Sequence, residues 1–155
     1  MNKDEYVKFW LEKPEESVGF LLWQITNLWQ RKMNTALKDL DLTHVQFVLL
    51  AGIAWLERFD KDINQVKLAK HAKTNIMMTS KVIRTLEKKE LILREECESD
   101  IRAKCLSLTD EGRQRIKKAL NTVKGVDKEF FEDMANNSDF IKNLAYIVQL
   151  NSGDN

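Results

Sequence analysis

The stretch of the chain between Thr74 and Ile92 combines apolar residues at helical spacing with short polar and basic side chains. The spacing predicts a helix whose buried face is formed by Ile76, Val82, Ile83 and Leu86. We expect the opposite face to expose Thr79, Ser80, Lys81 and Arg84. Short side chains let a helix backbone approach the DNA major groove, and Lys or Arg then reaches guanine edges or phosphates. The alternative is an ordinary amphipathic surface helix.

The segments on either side of this stretch favour the DNA interpretation. Upstream, residues 64–72 predict a short helix followed by a break, and two helices joined in this way form a helix-turn-helix. Downstream, two β-prone runs at 91–95 and 105–108 enclose a polar turn. They predict a hairpin, or wing, with Arg102 and Lys104 near its tip.

The order and spacing of these motifs resemble those of the MarR family of winged helix-turn-helix regulators. The resemblance spans about Val18 to Leu150 and is carried by Leu42-Thr43-x-x-Gln46-Phe47, LEKKELI at 86–92, Asp100-Ile101-Arg102, and Leu108-Thr109 with Gly112. It implies a sequence-specific DNA-binding transcriptional regulator, with Arg102 in the minor groove and Asp100 holding the Arg102 side chain or the turn. The alternative is that both are ordinary turn residues.

The resemblance also implies that a small aromatic or lipophilic ligand relieves repression by binding between the dimer region and the DNA-binding lobe. The candidate lining residues are Trp23, Asn27, Phe47 and Leu50. Three positions depart from the family pattern. Asp41 and Glu90 stand where glycine is common and φ is often positive, and Ile101 replaces the first of two wing arginines.

Long amphipathic helices are predicted at both ends of the chain, over 15–40, 109–135 and 139–150. They should expose more apolar surface than one subunit can cover, so we expect a homodimer that binds a pseudo-palindromic operator in double-stranded DNA. The expected fold is mainly α with a small β-hairpin wing. Residues 1–42 and 110–155 would supply dimerisation helices, and 43–109 the DNA-binding lobe, in one compact unit. Tyr6, Phe9 and Trp10 are expected to pack on a partner.

Composition agrees with a helical domain whose charge is unevenly distributed. The chain has 43% hydrophobic residues, 5 Gly and 1 Pro, and its net charge is only +1. Residues 63–104 nevertheless contain ten basic and six acidic side chains, the sign expected of a DNA-facing lobe. The sequence shows no membrane-spanning run and no secretory signal, which predicts a cytoplasmic location.

Catalytic and metal-binding motifs are not found in the sequence. A Gly-rich phosphate loop, a nucleophile elbow and a His-Glu-x-x-His motif are all missing, so we expect no enzyme activity and no cofactor. His44 and His71 lack partners at metal-ligand spacing, so no metal site is expected. A helical protein-interaction module without DNA binding would explain the amphipathic helices but not the wing.

Cys97 and Cys105 are the only cysteines, and they bracket the predicted wing tip. Cross-strand Cβ atoms lie about 4.5–5.5 Å apart, longer than the ~3.8 Å of a disulfide. Neighbouring glutamates should also slow oxidation of the thiols. The sequence therefore predicts two unreactive thiols and a ligand-responsive switch. The alternative is a thiol-based redox-sensing regulator that uses Cys97 and Cys105.

Overall fold

The computed structural model describes residues 14–153, so the predicted packing of Tyr6, Phe9 and Trp10 lies outside the described residues. Six α-helices and one two-stranded hairpin make up this part of the chain. In chain order they are α1 (Val18–Leu37), α2 (His44–Leu56), α3 (Gln65–Ala72), α4 (Ile76–Lys88), β1 (Ile92–Glu96), β2 (Lys104–Leu108), α5 (Asp110–Phe131) and α6 (Ser138–Leu150). Three short 3-10 turns complete the described elements. One precedes α1 (Pro14–Glu16), one follows α1 (Lys38–Leu40), and one lies between α5 and α6 (Glu132–Asn136). The mainly helical fold with a hairpin confirms the expected class.

Helix α2 lies at the centre of the lobe because it is apolar on almost every side. Its N-terminus is fixed by a capping box, in which the Thr43 hydroxyl accepts from the Gln46 amide and the Gln46 side chain accepts from the Thr43 amide. Leu49, Leu50 and Ile53 are completely buried. They pack in one core with residues from α4, the hairpin and α5, including Ile83, Leu86, Leu91, Ile92, Leu106 and Ile116. The core therefore fixes α4 against α2.

Gly112 allows the start of α5 to pack directly on the end of the loop that follows α4. A Cβ atom at this position would lie 2.0 Å from the Leu91 carbonyl oxygen. This distance is too short for any residue other than glycine. The same carbonyl accepts from the Thr109 amide at 3.1 Å, and the Thr109 hydroxyl donates to the Glu90 carbonyl at 2.7 Å. The Leu-Thr-x-x-Gly motif thus joins the base of the wing to α5.

Two non-glycine residues adopt the left-handed conformation expected from the sequence. Asp41 has φ 51° and Glu90 has φ 58°, so both chain reversals keep their geometry without glycine. Lys73, at the end of α3, is a third such residue with φ 54°. Its conformation turns the chain sharply between α3 and α4, which makes the helix-turn-helix compact.

Large apolar side chains remain uncovered on the first and last helices. No residue of α6 is buried, and Ile141, Leu144, Ile147 and Val148 are all exposed. Val18, Leu22 and Leu28 on α1 are similarly exposed. Within residues 14–153, no single helix has the length and apolarity needed to cross a membrane. Val18–Leu40 and His44–Leu56 meet that test of length and composition only as a pair, with a 75° bend between them.

Candidate nucleic-acid interface

The helix-turn-helix is held together by its own polar side chains. The Asn64 side chain caps α3 by accepting from the Lys67 amide, and the Asn75 side chain caps α4 by accepting from the Met78 amide at 2.8 Å. The Gln65 side chain donates to the Ile76 carbonyl at 3.2 Å, which ties the first residue of α3 to the first residue of α4. These bonds fix the angle at which α4 leaves the lobe.

Two predictions about the faces of α4 are wrong. Thr79 does not face outward but is completely buried, where its hydroxyl donates to the Asn75 carbonyl at 2.9 Å. Ile76 does not belong to the buried face, because 45% of its surface is exposed. Thr79, Ile83 and Leu86 form the inward stripe, and the N-terminal end of α4 extends beyond the core. Thr79 can be buried because its hydroxyl is hydrogen-bonded within the turn.

Ser80, Lys81 and Arg84 lie together on the outer surface of α4. They line a shallow groove of about 330 Å³, which Gln65, Ile76 and Met77 complete. Neither Lys81 nor Arg84 makes an ion pair or side-chain hydrogen bond with another described residue. Two cations and a hydroxyl are therefore free to bind an external partner. Gln65 and Met77 were not predicted from the sequence, although their position beside the helix-turn-helix break is a usable signal.

The wing forms as an antiparallel pair in which Ile92 faces Leu108 and Glu96 faces Lys104. The Asp100 carboxylate accepts from the Arg102 backbone amide at 2.9 Å, so Asp100 shapes the turn. Arg102 is exposed at the tip. Lys104 lies 3.8 Å from Glu96, a long and exposed pair that leaves the Lys104 side chain adjustable.

Several basic residues of the lobe are engaged within the protein. Arg94 pairs with Glu87 at 3.1 Å, Lys67 pairs with Asp60 at 2.6 Å, and the Lys89 ammonium donates to the Asp41 carbonyl at 2.7 Å. The Lys67 contact lowers the pKa of Asp60 below its usual range. The basic excess of residues 63–104 is therefore concentrated on fewer free side chains than the sequence suggests.

The prediction of two free thiols is wrong for this structure, because Cys97 and Cys105 are joined in a disulfide. Cys97 does not lie opposite Cys105 in the ladder, since the register partner of Cys105 is Glu95. Cys97 follows the end of β1, and its amide donates to the Ala103 carbonyl at 3.1 Å. This tight turn brings the two Cα atoms to 5.0 Å, within the range of disulfides.

Asp62 lies beside the disulfide, with its carboxylate 3.6 Å from the Cys105 sulfur. Asp62, Cys97 and Cys105 place one potential metal-ligand atom each within 4.8 Å of one another. Cysteine binds metals as a thiolate, so the bonded form of this pair offers no such ligand.

A second, mostly apolar cavity of about 580 Å³ lies between α2, the end of α3 and α5. Its apolar lining includes Phe47, Val48, Ala51, Trp55, Ile116 and Leu120, while His71 and Arg58 supply polar groups. The Arg58 guanidinium lies 4.6 Å from the Trp55 ring centre. Of the predicted lining residues the structure brings only Phe47 here. Leu50 is completely buried in the core, and Trp23 and Asn27 lie on α1, where the Asn27 side chain donates to the Trp23 carbonyl.

His44 links the first helix of the lobe to the long terminal helices. Its ring packs edge-on against Trp29 at 4.7 Å, and the Trp29 indole donates to Asp127 at 2.9 Å. Burial lowers the pKa of His44 below its ordinary 6.5, and the negative charge of Asp127 offsets part of that effect. His44 is therefore a packing residue at this junction, and burial disfavours its charged form.

Comparison with known proteins shows that this chain is similar to transcriptional regulators. The model of the MarR family matches residues 42–104. The uncharacterised HTH-type transcriptional regulator YdcH of Bacillus subtilis (strain 168) is 43% identical over 136 residues, which cover 88% of this chain and 92% of YdcH.

Two solved structures have a similar fold at lower identity. CouR from Rhodococcus jostii RHA1, bound to p-coumaroyl-CoA, matches with a TM-score of 0.75 and 22% identity, over 91% of this chain and 95% of CouR. A variant of MarR from E. coli complexed with operator DNA matches with a TM-score of 0.72 and 22% identity, over 90% of this chain and 96% of that protein.

Proposed function

The chain belongs to the MarR family of DNA-binding transcriptional regulators, and from this premise we propose that it is a homodimeric repressor released by a small aromatic or lipophilic ligand. The observation that carries the proposal is the outer face of α4, where Lys81 and Arg84, which pair with no other described residue, lie beside Ser80. Helix α4 would enter the major groove, and Arg102 and Lys104 of the wing would contact the neighbouring minor groove and phosphates. The regulator would act in the cytoplasm.

A symmetric dimer would present two α4 helices to one face of the DNA. The operator would then be a pseudo-palindrome whose half-sites lie about 10 base pairs apart. The uncovered apolar faces of α1 and α6 support this assembly, because such faces are otherwise exposed to water. The terminal segments 1–42 and 110–155 would serve dimerisation and 43–109 DNA binding.

The test is selection of operator sequences from random DNA, followed by titration of variants against the selected duplex. Lys81→Ala and Arg84→Ala should each weaken binding by about 1–3 kcal/mol if the side chain contacts a base. Lys124→Ala on α5 removes the same charge outside the helix-turn-helix and should leave affinity nearly unchanged. Wild-type affinity in both α4 variants, with the fold intact, would remove α4 from the interface.

The cavity between α2 and α5 is our candidate for the effector site. Its apolar lining and volume suit an aromatic molecule, and Arg58 at its edge favours one with an acidic group. CouR, bound to p-coumaroyl-CoA, supports an aromatic effector class. Compounds should be screened for release of the operator complex. Ala51→Phe, which places a bulky side chain in the cavity and occupies part of it, should weaken release while DNA binding persists.

One observation favours the redox alternative as a second candidate. The Cys97–Cys105 bond closes the base of the wing tip that carries Arg102. Comparing operator affinity with and without dithiothreitol, in wild type and in Cys97→Ser, separates the two candidates. A redox regulator changes affinity with reductant in the wild type only, whereas a ligand-controlled repressor does not respond to the reductant.

Neither candidate involves catalysis. The relatives that match this chain are transcriptional regulators, which supports a role without enzyme activity.

A further inference from the structure

Met77 is an exposed hydrophobic side chain on the first turn of α4. It exposes 82% of its surface, and its neighbour Ile76 exposes 45%. Thr79, two residues later, is completely buried, and Met77 lies on the outer side of α4. Ile76 and Met77 thus form an exposed apolar pair at the start of α4, and covering such a pair with a partner is favourable.

The surroundings of Met77 identify the kind of partner. The groove that it shares with Ile76 is also lined by Ser80, Lys81 and Arg84, so the apolar pair adjoins two cations that pair with no other described residue. A protein surface that is apolar and basic over the same few residues is complementary to the DNA major groove, where thymine methyl groups lie among polar base edges and phosphates.

The position of Met77 within α4 agrees with contact to bases. In a helix-turn-helix the N-terminal residues of the second helix contact base edges in the major groove. Met77 is the second residue of α4, and the Gln65 bond to the Ile76 carbonyl holds this turn in place. The Met77 side chain has no strong hydrogen-bonding group. Within the major groove it can therefore contact only apolar features of the bases.

The major groove offers one prominent apolar group, the 5-methyl of thymine. We propose that Met77, supported by Ile76, recognises a thymine methyl group in each operator half-site. The methionine thioether is unbranched and polarisable, so it adjusts to the methyl group without a fixed rotamer. This inference rests on the proposed function and adds a specificity element to it. The operator is recognised by hydrogen bonds from Ser80, Lys81 or Arg84 and by an apolar contact from Met77.

The experiment removes only the methyl group. The probe is the duplex that wild-type protein selects from random DNA, resynthesised with deoxyuridine in place of one thymidine at a time. At the contacted position, wild type should bind the uracil duplex about fourfold more weakly for each buried methyl lost. Met77→Ala should bind the thymine and uracil duplexes equally, and Met77→Leu should keep the preference. Thermal unfolding followed by circular dichroism verifies that each variant is folded.

Lys81→Ala is the matched control, because it should weaken binding to both duplexes and leave their ratio unchanged. Equal binding of every uracil duplex by wild type overturns the inference while DNA binding stands. A thymine preference that persists in the Ile76→Ala/Met77→Ala double variant also overturns it. If wild type selects no sequence from random DNA, both this inference and the proposed function fail.

Discussion

The hydroxyl oxygens of Thr74 and Thr79 lie 2.7 Å apart across the turn of the helix-turn-helix. Thr79 is completely buried, and its hydroxyl also donates to the Asn75 carbonyl. The two threonines therefore join the loop before α4 to the inner side of α4. Because Thr79 faces inward, the following residues Ser80 and Lys81 face the groove on the opposite side. The orientation of the DNA-binding face thus depends on a polar contact inside the lobe.

Thr79→Val should lower the free energy of unfolding by about 1–3 kcal/mol, because Val keeps the shape but leaves the Thr74 hydroxyl without this partner. Urea denaturation measures the loss. Ser80→Ala is the matched control. Ser80 lies on the outer face, so its truncation should change stability by no more than about 0.5 kcal/mol. Wild-type stability in Thr79→Val would show that the buried contact contributes little.

Helix starts were only partly predictable from capping side chains, since α1 begins at Val18, after the Ser17 cap, and not at residue 15 as predicted. Thr43, Asn75 and Thr109 all cap as their residue types suggest, since a short oxygen-bearing side chain can accept from the first turn. The left-handed conformations of Asp41 and Glu90 also followed from their places after a helix end. These features depend on neighbouring residues, which a sequence displays directly.

The orientation of α4 was not predictable to the same degree. Polarity placed Thr79 outside and Ile76 inside, whereas the structure reverses both. The burial of Thr79 depends on a partner five residues away, and the exposure of Ile76 depends on where the core ends. The disulfide was missed for a related reason. The turn that brings Cys97 close to Cys105 arises from the Ala103 and Asp100 backbone contacts rather than from strand pairing.

Arg102→Ala should weaken operator binding and reduce the dependence of log affinity on log salt by about one unit, because one cation no longer displaces a counterion. The preference for A·T-rich flanks should also fade, since a narrow minor groove attracts arginine. Fluorescence anisotropy at several salt concentrations measures both effects. If the variant retains the flank preference, a different residue recognises the flank. Asp100→Asn and Asp100→Ala both remove the carboxylate charge and leave Arg102 in place, but only Asn keeps an acceptor for the Arg102 amide, so comparing the two separates turn shape from charge.

Light scattering should give the mass of a dimer at micromolar concentration. Replacing Leu144 and Ile147 with Glu places charges on the exposed face of α6 and should shift the mass towards the monomer, because buried unpaired charges are unfavourable. Leu93→Glu makes the same substitution on an exposed residue of the wing and should leave the mass unchanged. A monomeric wild type would contradict the assembly.

Protein purified without reductant should contain no alkylatable thiol, and dithiothreitol should expose two, as measured by mass spectrometry after iodoacetamide treatment. The Cys97→Ser/Cys105→Ser variant should be less stable than the oxidised wild type by about 2–3 kcal/mol, the value expected for closing a loop of this length. In dithiothreitol the difference should disappear. Two reactive thiols in the untreated protein would show that the bond does not form in solution.

His44 should make stability depend on pH below neutrality. Burial lowers the pKa of His44, so the folded protein binds this proton less readily than the unfolded chain. The unfolded chain therefore gains a proton first as the pH falls through about 6.5, and stability decreases from that point until the lowered folded pKa is passed. The protein therefore keeps its full stability with respect to His44 above pH 6.5 and loses it progressively on acidification.

Asp127 contributes to the same balance from the facing helix, since its negative charge raises the pKa of His44 in part. Asp127→Asn should therefore steepen the loss of stability as the pH falls below 6.5, and it also replaces the carboxylate that accepts from the Trp29 indole. His44→Phe should flatten the curve over this interval, because no proton is taken up at the site. Urea denaturation at half-unit pH steps measures each curve, with His71→Gln as the histidine control. A His44→Phe curve that still falls as steeply as wild type below pH 6.5 would assign the acid sensitivity to other groups.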